Sequence, residues 1–275
     1  MEKIARYPGF IAKILLAGVL LFSAACSEQE VVEPTSTVAS QGLSNKMKEK
    51  TFYGPATPMG KGVARAWVSV NDEGEPTAVG VNISAKVVDN LGMEPKVFTL
   101  RLPKQAEATL YEFVSLDWNP GGHPPFGIYN VDHFDLHFYM IPEEEVMAIP
   151  GMDPGMPGSF NFDTPVPAQF VPWRYVMDPG IVPAMGVHWG DWNEPQYNGQ
   201  PFTRTMILGS YQGEFIFHEP MFTLDYLHTK PNIEIPIPQA SAYQKPGYYP
   251  LSYSFMYSDT PKEYTIALTD LTWKE

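Results

Sequence analysis

The chain has 275 residues, 44% of them hydrophobic and 13% aromatic, which is enough for a sizeable core. A formal net charge of −13 offers no basic surface to gather phosphates and so excludes a nucleic-acid partner. With 22 glycines and 28 prolines, the composition opposes a helical bundle and favours a turn-rich β fold.

Lys3, Arg6 and Lys13 precede the apolar run Ile14 to Phe22, and Ser23-Ala24-Ala25-Cys26 follows. A basic region, a short apolar region and small residues read as an export signal over residues 1–25. The apolar run is too short for a comfortable transmembrane helix. Because the only cysteine comes directly after the small residues, the segment resembles a bacterial lipoprotein signal. That resemblance implies an acylated, palmitate-bearing Cys26 at the mature N-terminus, anchoring the chain to a membrane. Ser23 stands where such signals usually carry leucine, which leaves ordinary secretion open. A lipidated Cys26 would leave no thiol for a nucleophile, a thiolate metal site or a disulfide. Signal removal takes away Lys3, Arg6, Lys13 and Glu2, so the net charge becomes −15. Ser27-Glu28-Gln29-Glu30 resembles the surface-export signal of Bacteroidetes lipoproteins. The expected location is the bacterial cell envelope, with the outer membrane and the cell surface left open. Residues 26–50 are polar and aperiodic, a flexible membrane tether, and 51–275 are expected to form a single mainly-β domain.

Strands are expected over Gly62 to Val70, Thr77 to Val88 and Val97 to Leu102, with a hairpin loop at 71–76. Gln105 to Glu112 reads as a helical turn or a lead into a strand, and Tyr111 to Trp118 as extended. Asn119 to Pro125 is a stiff Gly/Pro loop. In the following strand His133, Asp135 and His137 alternate with Phe134, Leu136 and Phe138, so period two gives it one polar and one apolar face. Glu143 to Ile149 reads as a short helix after Pro142, and 150–167 as a long loop. Irregular chain then leads to Val187-His188-Trp189-Gly190-Asp191-Trp192. Phe202 to Gly209 and Gly213 to Glu219 read as paired strands, the second placing Phe215, Phe217 and Glu219 on one side and Ile216 and His218 on the other. Met221 to His228 reads as a short helix, and Ser252 to Tyr257 and Tyr264 to Trp273 as closing strands. The expected fold is a single distorted β-barrel or β-sandwich with long Gly/Pro-rich loops and a few short helices.

Imidazole nitrogens and carboxylate oxygens that converge hold zinc, manganese or iron. His133, Asp135 and His137 meet this condition locally, and His188 and Glu219 would complete the shell from later segments. A lone carboxylate at the end of an apolar row, as at Glu219, is costly without a partner. His123 on its Gly/Pro loop, with Trp118 and Trp189, is expected at the pocket rim. Asp117, Asp132, Asp191 and Glu194 are candidates to orient the imidazoles. The competing readings are a buried hydrogen-bond network or an exposed polar face. His218 and His228 read as ordinary histidines. Neither a phosphate-binding loop nor a Gly-x-Ser-x-Gly elbow nor a His-Glu-x-x-His helix is present in the sequence. Carboxylate pairs of glycosidase type stay open.

Gly-His-Pro-Pro-x-Gly-Ile-Tyr at 122–129, His-Phe-Asp-Leu-His-Phe-Tyr at 133–139, Gly-Val-His-Trp at 186–189 and Glu-Pro-Met at 219–221 together resemble a family of uncharacterised bacterial secreted and lipoprotein domains. One member type is associated with an extracytoplasmic sigma-factor operon in Thermus, and the family supplies a site without a reaction. The histidines also resemble a cupin metal site in kind, although cupins use His-x-His and these two are four apart. The functional expectation is an envelope lipoprotein with one mononuclear divalent-metal site acting on a small molecule. The alternative is a non-catalytic binding or structural protein, oligomer formation and a small-molecule or glycan ligand being left open.

Overall fold

The computed structural model describes residues 49–151, 163–178 and 180–275. The export signal, Cys26 and nearly all of the tether lie outside the described residues, as does much of the 150–167 loop. The described chain opens with β1 (Lys50–Tyr53), β2 (Thr57–Met59), β3 (Gly62–Val70) and β4 (Pro76–Ser84). Then come β5 (Lys96–Leu100), β6 (Phe113–Asn119) and β7 (His133–Tyr139). A long excursion leads to β8 (Tyr175–Met177), β9 (Val187–Asp191), β10 (Arg204–Tyr211) and β11 (Glu214–Thr223). The last strands are β12 (Ile233–Pro236), β13 (Gly247–Tyr249), β14 (Ser252–Asp259), β15 (Lys262–Thr269) and β16 (Thr272–Lys274).

One sheet has the order β1-β3-β4-β15-β14-β12, with β2 also paired to β3. The second runs β5-β6-β7-β11-β10-β9-β8, and β13 pairs with β16 apart from both. Neighbouring strands are antiparallel in each. Val68, Val81, Phe255 and Ile266 of the first sheet and Leu116, Phe134, Phe138 and Phe222 of the second belong to one buried cluster. Two sheets closed face to face over a shared apolar layer make a sandwich-like domain. The barrel expectation is overturned: neither sheet closes, since β1 and β12 end the first and β5 and β8 end the second. Two of these edges are short, β12 with four residues and a proline, β8 with three, and such strands end pairing rather than continue it.

Local chemistry explains most boundaries. In the β3–β4 hairpin the Asn71 side chain accepts hydrogen bonds from the N–H of Glu73 (3.1 Å) and Glu75 (2.8 Å), an Asx-type turn. The strand expected to reach Val88 stops at Ser84, where α1 (Ala85–Val88) begins. Pro142 precedes α2 (Glu143–Ala148), whose first turn carries three glutamates at the positive end of the helix dipole. Thr223 ends β11 and caps α3 (Leu224–His228), its Oγ1 accepting from Tyr226 N–H at 3.0 Å. The helix expected from Met221 therefore starts three residues later. Among the described residues no helix is long and apolar enough to cross a membrane.

β7 positions everything that follows. Phe134, Leu136 and Phe138 face the first sheet, and His133, Asp135, His137 and Tyr139 face away from it. That outward face is covered as well. Tyr129, Val146, Ile149 and Phe202 form a second apolar cluster with Tyr139, Phe217 and Met221, so all seven residues of β7 are buried. On β10 the register slips between Gly209 and Ser210, which pair with Phe217 and Phe215. Ile216 is the extra residue of a β-bulge, and the bulge re-phases β11. Phe217 and Glu219 share the outward face, whereas Phe215 turns to the opposite side and packs on Trp189 with ring centroids 5.9 Å apart.

Candidate metal centre

Register brings the polar residues of four strands onto one face. β6 sets Asp117 opposite Asp135 and Ser115 opposite His137. β11 pairs Phe217 with Tyr139 and Met221 with Asp135, which puts Glu219 alongside His137. His188 on β9 is opposite Gly209 of β10, a residue with no side chain to block the way to Glu219.

His137 Nε2 lies 3.4 Å from Glu219 Oε1, and His188 Nε2 lies 3.8 Å from Glu219 Oε2. Hydrogen bonds of this type span about 2.7–3.2 Å, so neither contact is one. Both ring nitrogens of His137 and Glu219 Oε2 are buried without a hydrogen-bond partner among the described residues. Ligand atoms bound at about 2.0–2.2 Å to one tetrahedral ion stand roughly 3.3–3.6 Å apart, close to the spacing here. Burial pulls the His137 pKa down to about 3 and that of His188 down to about 4, which keeps both rings neutral and able to bind metal at pH 7. Burial, and then the charges of Asp135 and Asp117, push the Glu219 carboxyl well above its usual range. Burial raises Asp117 to about 7, against a 2.6 Å hydrogen bond from the Ser115 hydroxyl.

The Phe217 ring fixes the two imidazoles from one side, its centroid 4.9 Å from that of His137 and 5.5 Å from that of His188. A Cβ on Gly209 would lie 2.0 Å from two ring carbons of Phe217. Gly209→Ala should therefore displace the ring, destabilise the fold by about 1–3 kcal/mol and weaken cation binding. Urea denaturation and a zinc titration measure both effects. An unchanged midpoint and affinity would mean that Phe217 is not held by this glycine.

A second group forms at the other end of β7. Gly122, at φ +74°, folds its loop so tightly that a Cβ would meet the Tyr129 carbonyl oxygen at 1.8 Å. The turn carries His123 back over the sheet. His123 Nε2 lies 3.0 Å from Asp135 Oδ2, and His133 Nε2 lies 3.1 Å from Asp135 Oδ1. The two Nδ1 atoms contact backbone carbonyls, Pro124 O at 2.6 Å and Val131 O at 2.7 Å. Asn119 Nδ2 donates to Asp135 Oδ2 at 2.7 Å. Burial acts to raise the Asp135 pKa, but the facing His123 and His133 outweigh it and hold the carboxyl below its usual range. Burial likewise acts to lower His123, and contact with Asp135 outweighs it, raising the ring above its ordinary value.

Two buried clusters of His, Asp and Glu are thus arranged so that each could coordinate a metal ion: His123, His133 and Asp135, and His137, His188 and Glu219. The five residues expected in one shell are divided between them. His133 and His137 are four residues apart, about 14 Å along a strand at roughly 3.4 Å per residue, which sends them to different groups. His123, expected at the rim, belongs to the first cluster. Trp118 and Trp189, also expected at the rim, are corrected to the opposite face of the sheet. Trp118 packs on Phe134 at 4.9 Å and donates to Gly92 O at 3.0 Å, and Trp189 donates to Ser210 Oγ at 2.9 Å. Each directly follows a site-facing residue in its strand, Asp117 or His188, so strand alternation turns it away.

Of the acids expected to orient imidazoles, Asp117 Oδ2 reaches to 3.8 Å from His137 Nδ1. Asp132 instead accepts from Gly121 N–H at 2.7 Å, and Asp191 pairs with Arg174. Three aromatic residues escaped the sequence reading as site residues: Phe217, Tyr129 and Tyr197. The hydroxyls of the two tyrosines are 2.7 Å apart, and Tyr197 sits so close over β9 that a Cβ on Gly190 would be 2.4 Å from its oxygen. Only the glycine in the middle of β9 hinted at so close an approach.

Residues 71–118 match the TTHB210-like family, described as hypothetical protein TTHB210. The likeness to this Thermus family is distant and partial. It covers β4 to β6, less than a fifth of the chain, and stops before the motifs at 122–129 and 133–139. Comparison with curated proteins and with solved structures gives no match. Neither the motif pattern nor the cupin analogy gains support from these comparisons.

Proposed function

We propose that this chain is a metal-dependent protein in which His137, His188 and Glu219 hold one divalent cation, zinc, manganese or iron, and act on a small molecule. The observation that carries this reading is the meeting of two imidazoles and a carboxylate at 3.4 and 3.8 Å with no hydrogen bond between them, both ring nitrogens of His137 and Glu219 Oε2 being buried without a partner among the described residues. Two imidazoles and a carboxylate are a donor set shared by catalytic zinc and non-haem iron sites. Three protein ligands, where structural zinc sites have four, leave a position for water or a substrate oxygen. A cation there would supply Lewis acidity to that oxygen. Phe217 packs against both rings and holds the imidazoles in place, and Asp117 Oδ2 stands 3.8 Å from His137 Nδ1. Elemental analysis of the purified chain should find stoichiometric metal that is lost from this cluster in His188→Ala. Metal-free parent protein, or equal metal in parent and variant, would refute the assignment.

The covered state of His137 and Glu219, 0% and 2% exposed, favours a second reading in which the cation is structural. Water-proton relaxation of the manganese-loaded chain separates the two, because an open coordination position enhances relaxation and a closed shell does not. We further propose that the chain is anchored in the bacterial envelope through lipid on Cys26, on the strength of the basic, apolar and small-residue segments before it. Labelled palmitate should be incorporated by the parent and not by Cys26→Ser.

A further inference from the structure

We infer that His123, His133 and Asp135 hold a divalent cation of their own, at a site on the outward face of the second sheet that opens to solvent. This inference rests on hydrogen-bond chemistry at the first cluster and stands whether or not the second cluster binds metal.

A backbone carbonyl accepts and never donates, so each Nδ1 that contacts one must carry a proton. His123 Nδ1 faces Pro124 O at 2.6 Å, and His133 Nδ1 faces Val131 O at 2.7 Å. A neutral imidazole has one N–H, and in both rings it is committed to those carbonyls. Each Nε2 then presents a lone pair to an oxygen of the same Asp135 carboxylate, at 3.0 and 3.1 Å, where lone pair would meet lone pair. His133 Nε2 and Asp135 Oδ1 are buried without a hydrogen-bond partner among the described residues.

Two arrangements relieve the conflict. Either both rings become imidazolium, or a cation takes the three facing lone pairs. The first sets two positive rings with centroids 4.7 Å apart on one carboxylate, with His133 fully buried. The second fits what surrounds the cluster. Metal-binding histidines usually donate their far N–H to a carbonyl or carboxylate, and ligating carboxylates are themselves hydrogen-bonded. Both histidines here donate to carbonyls, and Asn119 donates to Asp135 at 2.7 Å. The charge count agrees. Asp117, Asp135 and Glu219 share this face, and the ion pairs they make among the described residues are all to histidines. Of the two clusters this one reaches water more freely, the His123 side chain being 36% exposed against 21% for His188.

The test is zinc stoichiometry of the full chain in detergent, loaded with Zn²⁺ and freed of excess. The parent should hold two ions, His123→Ala one, His188→Ala one, and the double variant none. His123→Cys, which keeps a zinc donor, should restore the ion that alanine loses and guards against a folding defect. Ring ¹⁵N spectra of the zinc-loaded parent give a readout free of mutation: both Nε2 atoms should show the shift of a metal-bound nitrogen. Imidazolium shifts on both rings, or equal stoichiometry in parent and His123→Ala, would overturn the inference while leaving His137, His188 and Glu219 untouched. Loss of zinc on His123→Ala alone, with His188→Ala unaffected, would support it and refute the other site.

Discussion

Stripping divalent cations with a chelator should lower the unfolding temperature of the chain by about 10 °C. The ligands come from β7, β9 and β11 and converge only in the folded sheet, so a cation binds the native state and not the unfolded chain. A ligand present at about 1,000 times its dissociation constant stabilises by roughly 4 kcal/mol, and each kcal/mol moves the midpoint of a domain this size by about 2–4 °C. Glu219→Gln reports the sign separately. Without metal, burial and the nearby Asp135 and Asp117 disfavour the ionised Glu219 carboxyl, and the amide carries no charge at any pH. The variant should therefore match or exceed the chelated parent in stability, yet respond less to added zinc. A midpoint that ignores the chelator, measured by calorimetry, would show that no cation contributes to the fold.

Phe134→Ala should cost about 3–5 kcal/mol, the range for emptying a large aromatic from a closed core. Phe134 is wholly buried between the sheets, with its ring 5.4 Å from Phe222 and 4.9 Å from Trp118. It also lies between His133 and Asp135 in sequence, so a cavity on the inner side removes the backing of the first cluster. Urea denaturation gives the stability change, and zinc affinity should fall with it. A loss below about 1 kcal/mol would mean that the two sheets do not meet at Phe134.

The sequence made part of this site legible and hid the rest for physical reasons. Alternation around Phe134, Leu136 and Phe138 showed that His133, Asp135 and His137 share a face, because period two is a local property. The same rule, applied to Trp118 and Trp189, would have turned both away from the site. His188 and Glu219 were recognisable as donors, but their meeting depends on the order β7-β11-β10-β9, which no local pattern carries. The bulge at Ile216 shifts the phase of β11, so Phe215 could not be placed by counting. Sandwich and barrel share the same strand patterns and differ in whether the edges pair, a long-range matter. Joining His123 to Asp135 required the reversal at Gly122, whose positive φ a Gly-Gly pair allows without requiring.

An ordinary sheet strand with one face in water has every second position to spare, and substitutions drift there at little cost. β7 has none. Its seven consecutive residues have an apolar layer on one side and a chemical one on the other, and all seven are buried. Neutral variation in this domain must therefore collect elsewhere, and the exposed residues of β1 and β12 supply that freedom. For anyone redesigning the protein, the central strand is a fixed seam, and new side chains belong at the sheet margins.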